Sequence, residues 1–141
     1  MHGKTKRKER LVIDHMTTWH HRERSLAIRT ARCLNPVKLS HLPPAILWKE
    51  YTEHTFGLSP RGAGLDCHRT WEMLFLGMIP IVKSSPLDIM YKGLPVLILK
   101  TWGDLCKTNL SNVEHRFKHL WPSVRKQLKL SAWVPAYKQI I

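Results

Sequence analysis

Residues 56–82 (FGLSPRGAGLDCHRTWEMLFLGMIPIV) constrain the fold more than any other part of the chain, because two apolar runs flank a turn and a helix-forming stretch. The first run, at 56–59, is short and partly β-favouring, and the second, at 79–82, predicts a buried strand. Between them, Asp66 is placed to cap a helix, and Gly77 fits the left-handed residue at its end. The order strand, turn, helix, strand predicts one unit of an α/β fold with a parallel sheet.

The turn at 60–64 predicts an anion-binding site. Gly62 and Gly64 give the backbone the freedom that a tight turn and a close approach to a ligand require. A glycine-containing turn that leads into a helix presents unpaired N–H groups and the positive end of the helix dipole, which favours phosphate. Arg69 and Glu72 lie three residues apart and so share one helix face. We expect Arg69 to hold an anion and Glu72 to accept ribose hydroxyls.

This segment resembles the donor-binding half of the exostosin-like glycosyltransferases and, more broadly, the GT-B class. The family pattern runs from an aromatic residue through a short strand, Pro-Arg-Gly and Arg-x-x-Glu to a glycine and an Ile-Pro-Ile/Val strand. The matching residues here are Phe56, Pro60, Arg61, Gly62, Arg69, Glu72, Gly77 and 79–81. Met73 departs from the wider GT-B pattern, in which alanine follows the glutamate. The match is strong over residues 56–82 and extends weakly to about Trp102.

The resemblance implies a Rossmann-like parallel sheet flanked by helices, as one half of a GT-B architecture. It implies a nucleotide-sugar donor and transfer of its sugar to a glycan acceptor. Arg69, Arg61, Gly62 and Gly64 would bind the donor diphosphate, and Glu72 would bind the ribose. No metal ion or other cofactor is expected.

A GT-B enzyme has two Rossmann-like halves, so the resemblance implies that a chain of 141 residues corresponds to one of them. We expect a fragment, a truncated gene product, or a domain that a partner completes. The acceptor domain, and the catalytic base that it usually carries in inverting relatives, would belong to a missing N-terminal half. No catalytic residue is assigned in this chain.

Four further residues are candidate donor contacts. Lys83, Ser84 and Ser85 follow the predicted strand 79–82, and ligands of open α/β sheets gather at the carboxyl ends of strands. His68 precedes Arg69 and could reach the donor. Each of the four also has a purely structural interpretation, as a solvated loop residue or as a histidine that caps or packs.

The net charge of +13 favours polyanionic partners. The alternative function is therefore a non-enzymatic basic module that binds nucleic acid or anionic glycan, and the basic cluster at 4–10 supports it. Nucleic-acid binders concentrate basic residues on one face with interleaved aromatic residues. Here the basic residues scatter over the N-terminal arm, a helix near 22–34 and the C-terminal region, so we consider nucleic acid an unlikely partner.

Three cysteines do not make a dense disulfide framework, and buried thiols are the expected state, with one bridge open if the chain is secretory. Residues 1–20 lack the apolar run of a signal peptide, and no stretch of the chain is long and apolar enough for a membrane span. The location is therefore unknown. The Golgi is expected if the chain belongs to a longer eukaryotic enzyme, and the cytoplasm otherwise.

The remaining pattern predicts a flexible basic arm at 1–10 and a single nucleotide-sugar-binding domain at 11–141. Apolar runs predict strands at 11–13 and 95–99, and the latter should pair in parallel with 79–82. Helical patterns cover residues 22–34, a stretch that begins at Pro43–Pro44, 102–110, and 113–130 with an interruption at Pro122.

Overall fold

The computed structural model describes residues 6–19 and 21–128, and these residues form one five-stranded sheet in which every strand pair is parallel. The strand order is β2-β1-β3-β4-β5. The strands are β1 (Lys8–Ile13), β2 (Val37–Lys38), β3 (His54–Leu58), β4 (Ile79–Lys83) and β5 (Leu97–Leu99). The α/β, Rossmann-like fold class predicted from the sequence is confirmed.

Helices cover both faces of the sheet. The α-helices are α1 (Arg22–Thr30), α2 (Pro44–Glu53), α3 (His68–Phe75), α4 (Leu110–Phe117) and α5 (Trp121–Gln127). Short 3₁₀ helices are Ala31–Leu34, Pro86–Tyr91, Trp102–Lys107 and Lys118–Leu120. On one face, α1, α4 and the 3₁₀ helix Trp102–Lys107 pack on alternate residues of β1, β3, β4 and β5. On the other face lie α2, α3 and α5.

This arrangement creates a topological switch point between β1 and β3. The chain leaves β1 towards α1 on one face and leaves β3 towards α3 on the other. Loops that diverge in this way open a crevice at the carboxyl ends of the strands, where doubly wound sheets bind ligands. Residues that directly follow β1, β3 and β4 are therefore the strongest candidates for a ligand-binding site.

The central segment folds as its pattern predicted. Ile81 of β4 is in register with Leu97 of β5, so the two apolar runs are neighbouring parallel strands. Gly77 ends α3 with φ of +83°, in the left-handed region that favours glycine. Gly57 lets α3 approach β3 closely, because a Cβ there would lie 2.6 Å from side-chain atoms of Met73.

Asp66 does not cap α3 as predicted. The residue before the helix is Cys67, which makes no side-chain capping bond. The Asp66 carboxylate instead accepts hydrogen bonds from the Cys67 backbone N–H at 2.9 Å and from Trp71 Nε1 at 2.8 Å. The indole competes for the carboxylate that would otherwise reach the first turn of the helix.

The first strand begins three residues earlier than predicted. Lys8, at the start of β1, is in register with His54 of β3. The half-buried Arg7 donates hydrogen bonds to the carbonyls of Tyr51, His54 and Leu76. The predicted arm at 1–10 is therefore wrong for residues 7–10, because backbone pairing and carbonyl contacts fix them; residues 1–5 lie outside the described part of the chain.

A disulfide replaces two of the three expected thiols. Cys33 and Cys106 are bonded across two 3₁₀ helices, with their Cα atoms 6.0 Å apart, whereas Cys67 is free and buried. The 73-residue separation hides this pairing in the sequence. The single disulfide that the sequence analysis allowed as an alternative is therefore present. The expectation of a buried thiol is confirmed for Cys67 alone.

The C-terminal region is divided more than its pattern predicted. The expected helix at 102–110 is a 3₁₀ helix, and the expected long helix is split into α4, a 3₁₀ turn and α5. Pro122 lies at the start of α5, where a missing N–H costs nothing. The end of that predicted helix and the tail at 129–141 lie outside the described residues. Within 6–19 and 21–128, no helix has the length and apolarity needed to cross a bilayer.

Candidate functional site

A polar cavity of about 240 Å³ opens at the carboxyl ends of β3 and β4. The walls come from the start of α1, the turn after β3, the first turns of α3 and the loop after β4. Its charged lining residues are Glu23, Arg61 and Lys83. Its hydroxyl-bearing lining residues are Ser59, Thr70, Ser84, Ser85 and Tyr91. Such a lining suits a ligand that carries both anionic and hydroxyl groups.

Buried hydroxyls form the inner wall. Ser59 Oγ and Thr70 Oγ1 are hydrogen-bonded at 2.8 Å, and both residues are buried. Tyr91 reaches Thr70 from the 3₁₀ helix after β4, and its ring packs on Trp71 with centroids 5.6 Å apart. Burial raises the pKa of Tyr91 above its ordinary value, so the phenol stays protonated and can donate.

An ion pair spans the cavity. Lys83, the last residue of β4, lies with its Nζ 3.1 Å from Oε1 of Glu23 in the first turn of α1. Both side chains are partly exposed, at 44% and 24%. The pair therefore places one cation and one carboxylate side by side at the cavity, within reach of solvent and of a ligand.

Ser84 and Ser85 are fixed by the loop that they begin. Ser84 Oγ donates to Asp88 Oδ2 at 2.6 Å, and the Ser85 backbone N–H donates to Asp88 Oδ1 at 2.9 Å. Ser85 Oγ in turn accepts from the N–H of Leu87. This capping box holds the loop rigidly against the cavity.

The Pro-Arg-Gly turn lies at the rim. Arg61 is exposed and its guanidinium donates to the carbonyls of Gly62 and Ala63 in its own turn. Arg24 of α1 donates to the Arg61 carbonyl at 3.2 Å, and a Cβ at Gly62 would lie 2.5 Å from its Nη2. The close approach that Gly62 permits is thus filled by Arg24, whereas a Cβ at Gly64 would lie in ordinary contact with the Asp66 carbonyl oxygen at 4.0 Å.

Arg69 lies at the switch point and not on the cavity wall. Its side chain is 8% exposed, and its Nε donates to Asp14 Oδ2 at 3.2 Å. Asp14 directly follows β1 and also accepts from the Tyr51 hydroxyl at 3.1 Å. Burial opposes the charge on Arg69, but Cys67 and Asp14 favour it, and the net pKa of Arg69 is raised. The predicted diphosphate ligand therefore has a buried internal partner.

Glu72 and His68 are also outside the cavity wall. Glu72 is half-buried on α3, and its side chain makes no hydrogen bond or ion pair within residues 6–19 and 21–128. Its charge acts on the phenol of Tyr51, a residue of α2. His68 is the exposed first residue of α3.

The structure thus divides the predicted residues. Arg61, Lys83, Ser84 and Ser85 converge on one cavity, whereas the other candidates are not among its lining residues. Sequence reasoning missed Glu23, Ser59, Thr70 and Tyr91 as lining residues. Ser59 had a usable signal, because it is the last residue of the predicted strand 56–59. Glu23 comes from a different unit of the chain and had none.

A second, more open depression of about 490 Å³ follows α1. Its lining includes Arg22, Ser25, Leu26 and Arg29, which share one helix face by their spacing. No group of three or more metal-ligating side chains converges among the residues described.

No protein-family model matches this chain, and no curated protein sequence is detectably similar to it. Residues 56–82 and the cavity beside them are therefore the features from which a function can be inferred.

Proposed function

We propose that this chain is a nucleotide-sugar donor-binding domain of a GT-B glycosyltransferase similar to the exostosin-like enzymes. The observation that carries the proposal is the position of the Pro-Arg-Gly turn. The turn lies at the carboxyl edge of a parallel sheet, on the rim of a polar cavity that also includes the loop after β4. This edge is where doubly wound sheets bind nucleotides.

Arg61 and Lys83 are the proposed diphosphate ligands. Both line the cavity, and among the described residues the Arg61 guanidinium donates to carbonyls of its own turn and forms no ion pair with a carboxylate. In sugar transfer, negative charge grows on the departing nucleoside diphosphate. Fixed cations beside the leaving group would stabilise that charge in the transition state.

In this proposal Arg69 positions α3 and does not bind the donor itself. Its bond to Asp14 ties the first turn of α3 to the end of β1, which fixes the helix terminus beside the cavity. Glu72, whose carboxylate makes no hydrogen bond or ion pair within the described chain, remains the proposed ligand of the ribose hydroxyls. In this proposal the backbone of Gly62 and Gly64 would lie near the donor. His68 would also lie near it, and its side chain would not bind it.

The cavity is suited to part of a donor. Its volume of about 240 Å³ lies below the roughly 300–1,000 Å³ of pockets that enclose a drug-sized ligand. We propose that it holds the diphosphate and the sugar, while the nucleoside extends over the sheet edge towards Glu72. Binding the glycan acceptor and supplying a base would fall to a second half of the enzyme.

The test is calorimetric titration of the chain with UDP and with inorganic pyrophosphate. We expect Lys83→Ala to weaken both ligands, because it removes a phosphate contact. Glu72→Gln should weaken UDP alone, by about tenfold for one hydrogen bond to a charged group. Glu114→Gln on α4 removes the same charge away from the cavity and should change neither affinity. Absence of UDP binding by the unmodified chain would contradict the proposal.

The alternative is a basic module that binds nucleic acid or anionic glycan, and the Arg22–Arg29 face of α1 is the feature that favours it. A duplex-binding surface with about 6–10 phosphate contacts should lose about 10³–10⁵ in affinity between 50 and 200 mM salt. A site for one diphosphate neutralises fewer charges and should respond modestly. Tight, salt-sensitive DNA binding without UDP binding would favour the alternative.

A further inference from the structure

The cavity contains chemistry that diphosphate binding does not use. Glu23 is the acidic residue among those that line it, and a carboxylate repels phosphate. Ser59, Thr70 and Tyr91 add a wall of neutral hydroxyls. Carboxylates accept hydrogen bonds from the hydroxyls of a sugar, and side-chain hydroxyls both donate and accept them.

The position of Glu23 is well defined. It lies in the first turn of α1, which is anchored in the core through the fully buried Ala27, and the 3₁₀ helix that follows is anchored through Ala31. Its Oε1 lies 3.1 Å from Lys83 Nζ, while its side chain keeps 24% of its exposure. The carboxylate is therefore aimed across the cavity and still has lone pairs available for a ligand.

We infer that Glu23 determines donor specificity, by accepting hydrogen bonds from the hydroxyls of a neutral sugar and disfavouring a sugar that bears a carboxylate. This inference rests on the proposed donor-binding function. Lys83 orients the Glu23 carboxylate and lies between it and the diphosphate site. The buried Ser59–Thr70 pair lines the same cavity.

The charge on the sugar is the discriminating property. While the diphosphate engages Lys83, a second carboxylate within about 5 Å of Glu23 would meet a like charge in a partly desolvated site, which costs about several-fold in affinity. A neutral hexose instead offers hydroxyl donors to the same oxygens. Selectivity of this kind combines a favourable contact with a repulsive one.

The experiment measures, by calorimetric titration, the affinities of three proteins for UDP, UDP-glucose and UDP-glucuronate. The proteins are the unmodified chain, Glu23→Gln and the matched control Glu114→Gln. We expect the unmodified chain and Glu114→Gln to prefer UDP-glucose to UDP-glucuronate. Glu23→Gln should reduce that preference by about tenfold, since it removes the charge and keeps the shape. Affinity for UDP itself should rise, because Lys83 loses its carboxylate partner.

A second variant separates position from charge. Glu23→Asp keeps the charge and withdraws the carboxylate by one methylene, so it should weaken UDP-glucose while UDP-glucuronate remains disfavoured. Equal preference in Glu23→Gln and the unmodified chain, with UDP still bound, would overturn the role of Glu23 and leave the proposed function standing. Failure of the unmodified chain to bind UDP would instead overturn the proposed function, and this inference with it.

Discussion

The Cys33–Cys106 disulfide should supply a large share of the stability of this domain. The bond joins the 3₁₀ helix after α1 to the one after β5, and it closes a loop over a sequence separation of 73 residues. Replacing both cysteines with serine removes the cross-link. Because both residues are exposed, the substitutions leave little unfilled space, and the main effect is on the entropy of the unfolded chain.

The loop length sets the magnitude. A chain-entropy treatment of a closed loop of this size gives about 4 kcal/mol at 25 °C. With a urea dependence of about 2 kcal/mol per M, the unfolding midpoint of the double-serine variant should fall by about 2 M. Reductant should lower the urea midpoint of the unmodified protein by a similar amount and leave that of the variant unchanged, because Cys67 forms no disulfide.

Equilibrium urea unfolding followed by far-UV circular dichroism measures this shift, and thiol alkylation counts the free cysteines. We expect one reactive thiol in the denatured, unreduced protein and three after reduction. Three thiols before reduction, or superimposable unfolding curves for the two proteins, would refute the reasoning. Because such bonds persist in oxidising compartments, the alkylation result also tests the secretory expectation.

Two other predictions concern the core around α3. Burial, and then the charge of Asp14, raise the pKa of Tyr51 above its ordinary value, so the folded state holds this proton more tightly and its stability should fall as the pH rises above about 10. Tyr51→Phe should flatten that fall in urea midpoints measured from pH 8 to 11, and an unchanged slope would contradict the assignment. Gly57→Ala would bring a methyl group within 2.6 Å of Met73 and Met78 and should cost about 1–3 kcal/mol. Met73→Ala makes room for it, so a double-mutant cycle should show the pair costing less than the sum of the single changes; strict additivity would rule out this contact.

Local pattern was enough to predict the centre of the fold. Residues 79–82 and 95–99 are apolar on both faces, as strands buried between helical layers require, and both became adjacent parallel strands. Gly77 was predicted to end the helix, because glycine readily adopts the left-handed conformation that a helix end requires. By contrast, the two-residue strand Val37–Lys38 is too short for any periodicity, and β1 begins early because its pairing with β3 extends to polar residues.

Contacts between distant residues could not be predicted. Arg69 and Asp14 are 55 residues apart, and which carboxylate an arginine meets depends on the packing of α3 against the end of β1. The same holds for Cys33 and Cys106, since spacing alone does not determine connectivity. The motif therefore lies at the edge of the sheet where the cavity opens, whereas the division of its residues between cavity and core required the tertiary structure.

The most direct test of the central claim is a two-dimensional ¹H–¹⁵N NMR titration of the chain with UDP, with the backbone amides assigned. If the carboxyl edge of β3 and β4 binds the donor, the largest shift changes should fall on Ser59, Arg61 and the amides of 83–85, and they should saturate together. Lys83→Ala should weaken all of them in parallel. Shift changes confined to the Arg22–Arg29 face of α1, or none at concentrations that saturate ordinary nucleotide sites, would contradict the account.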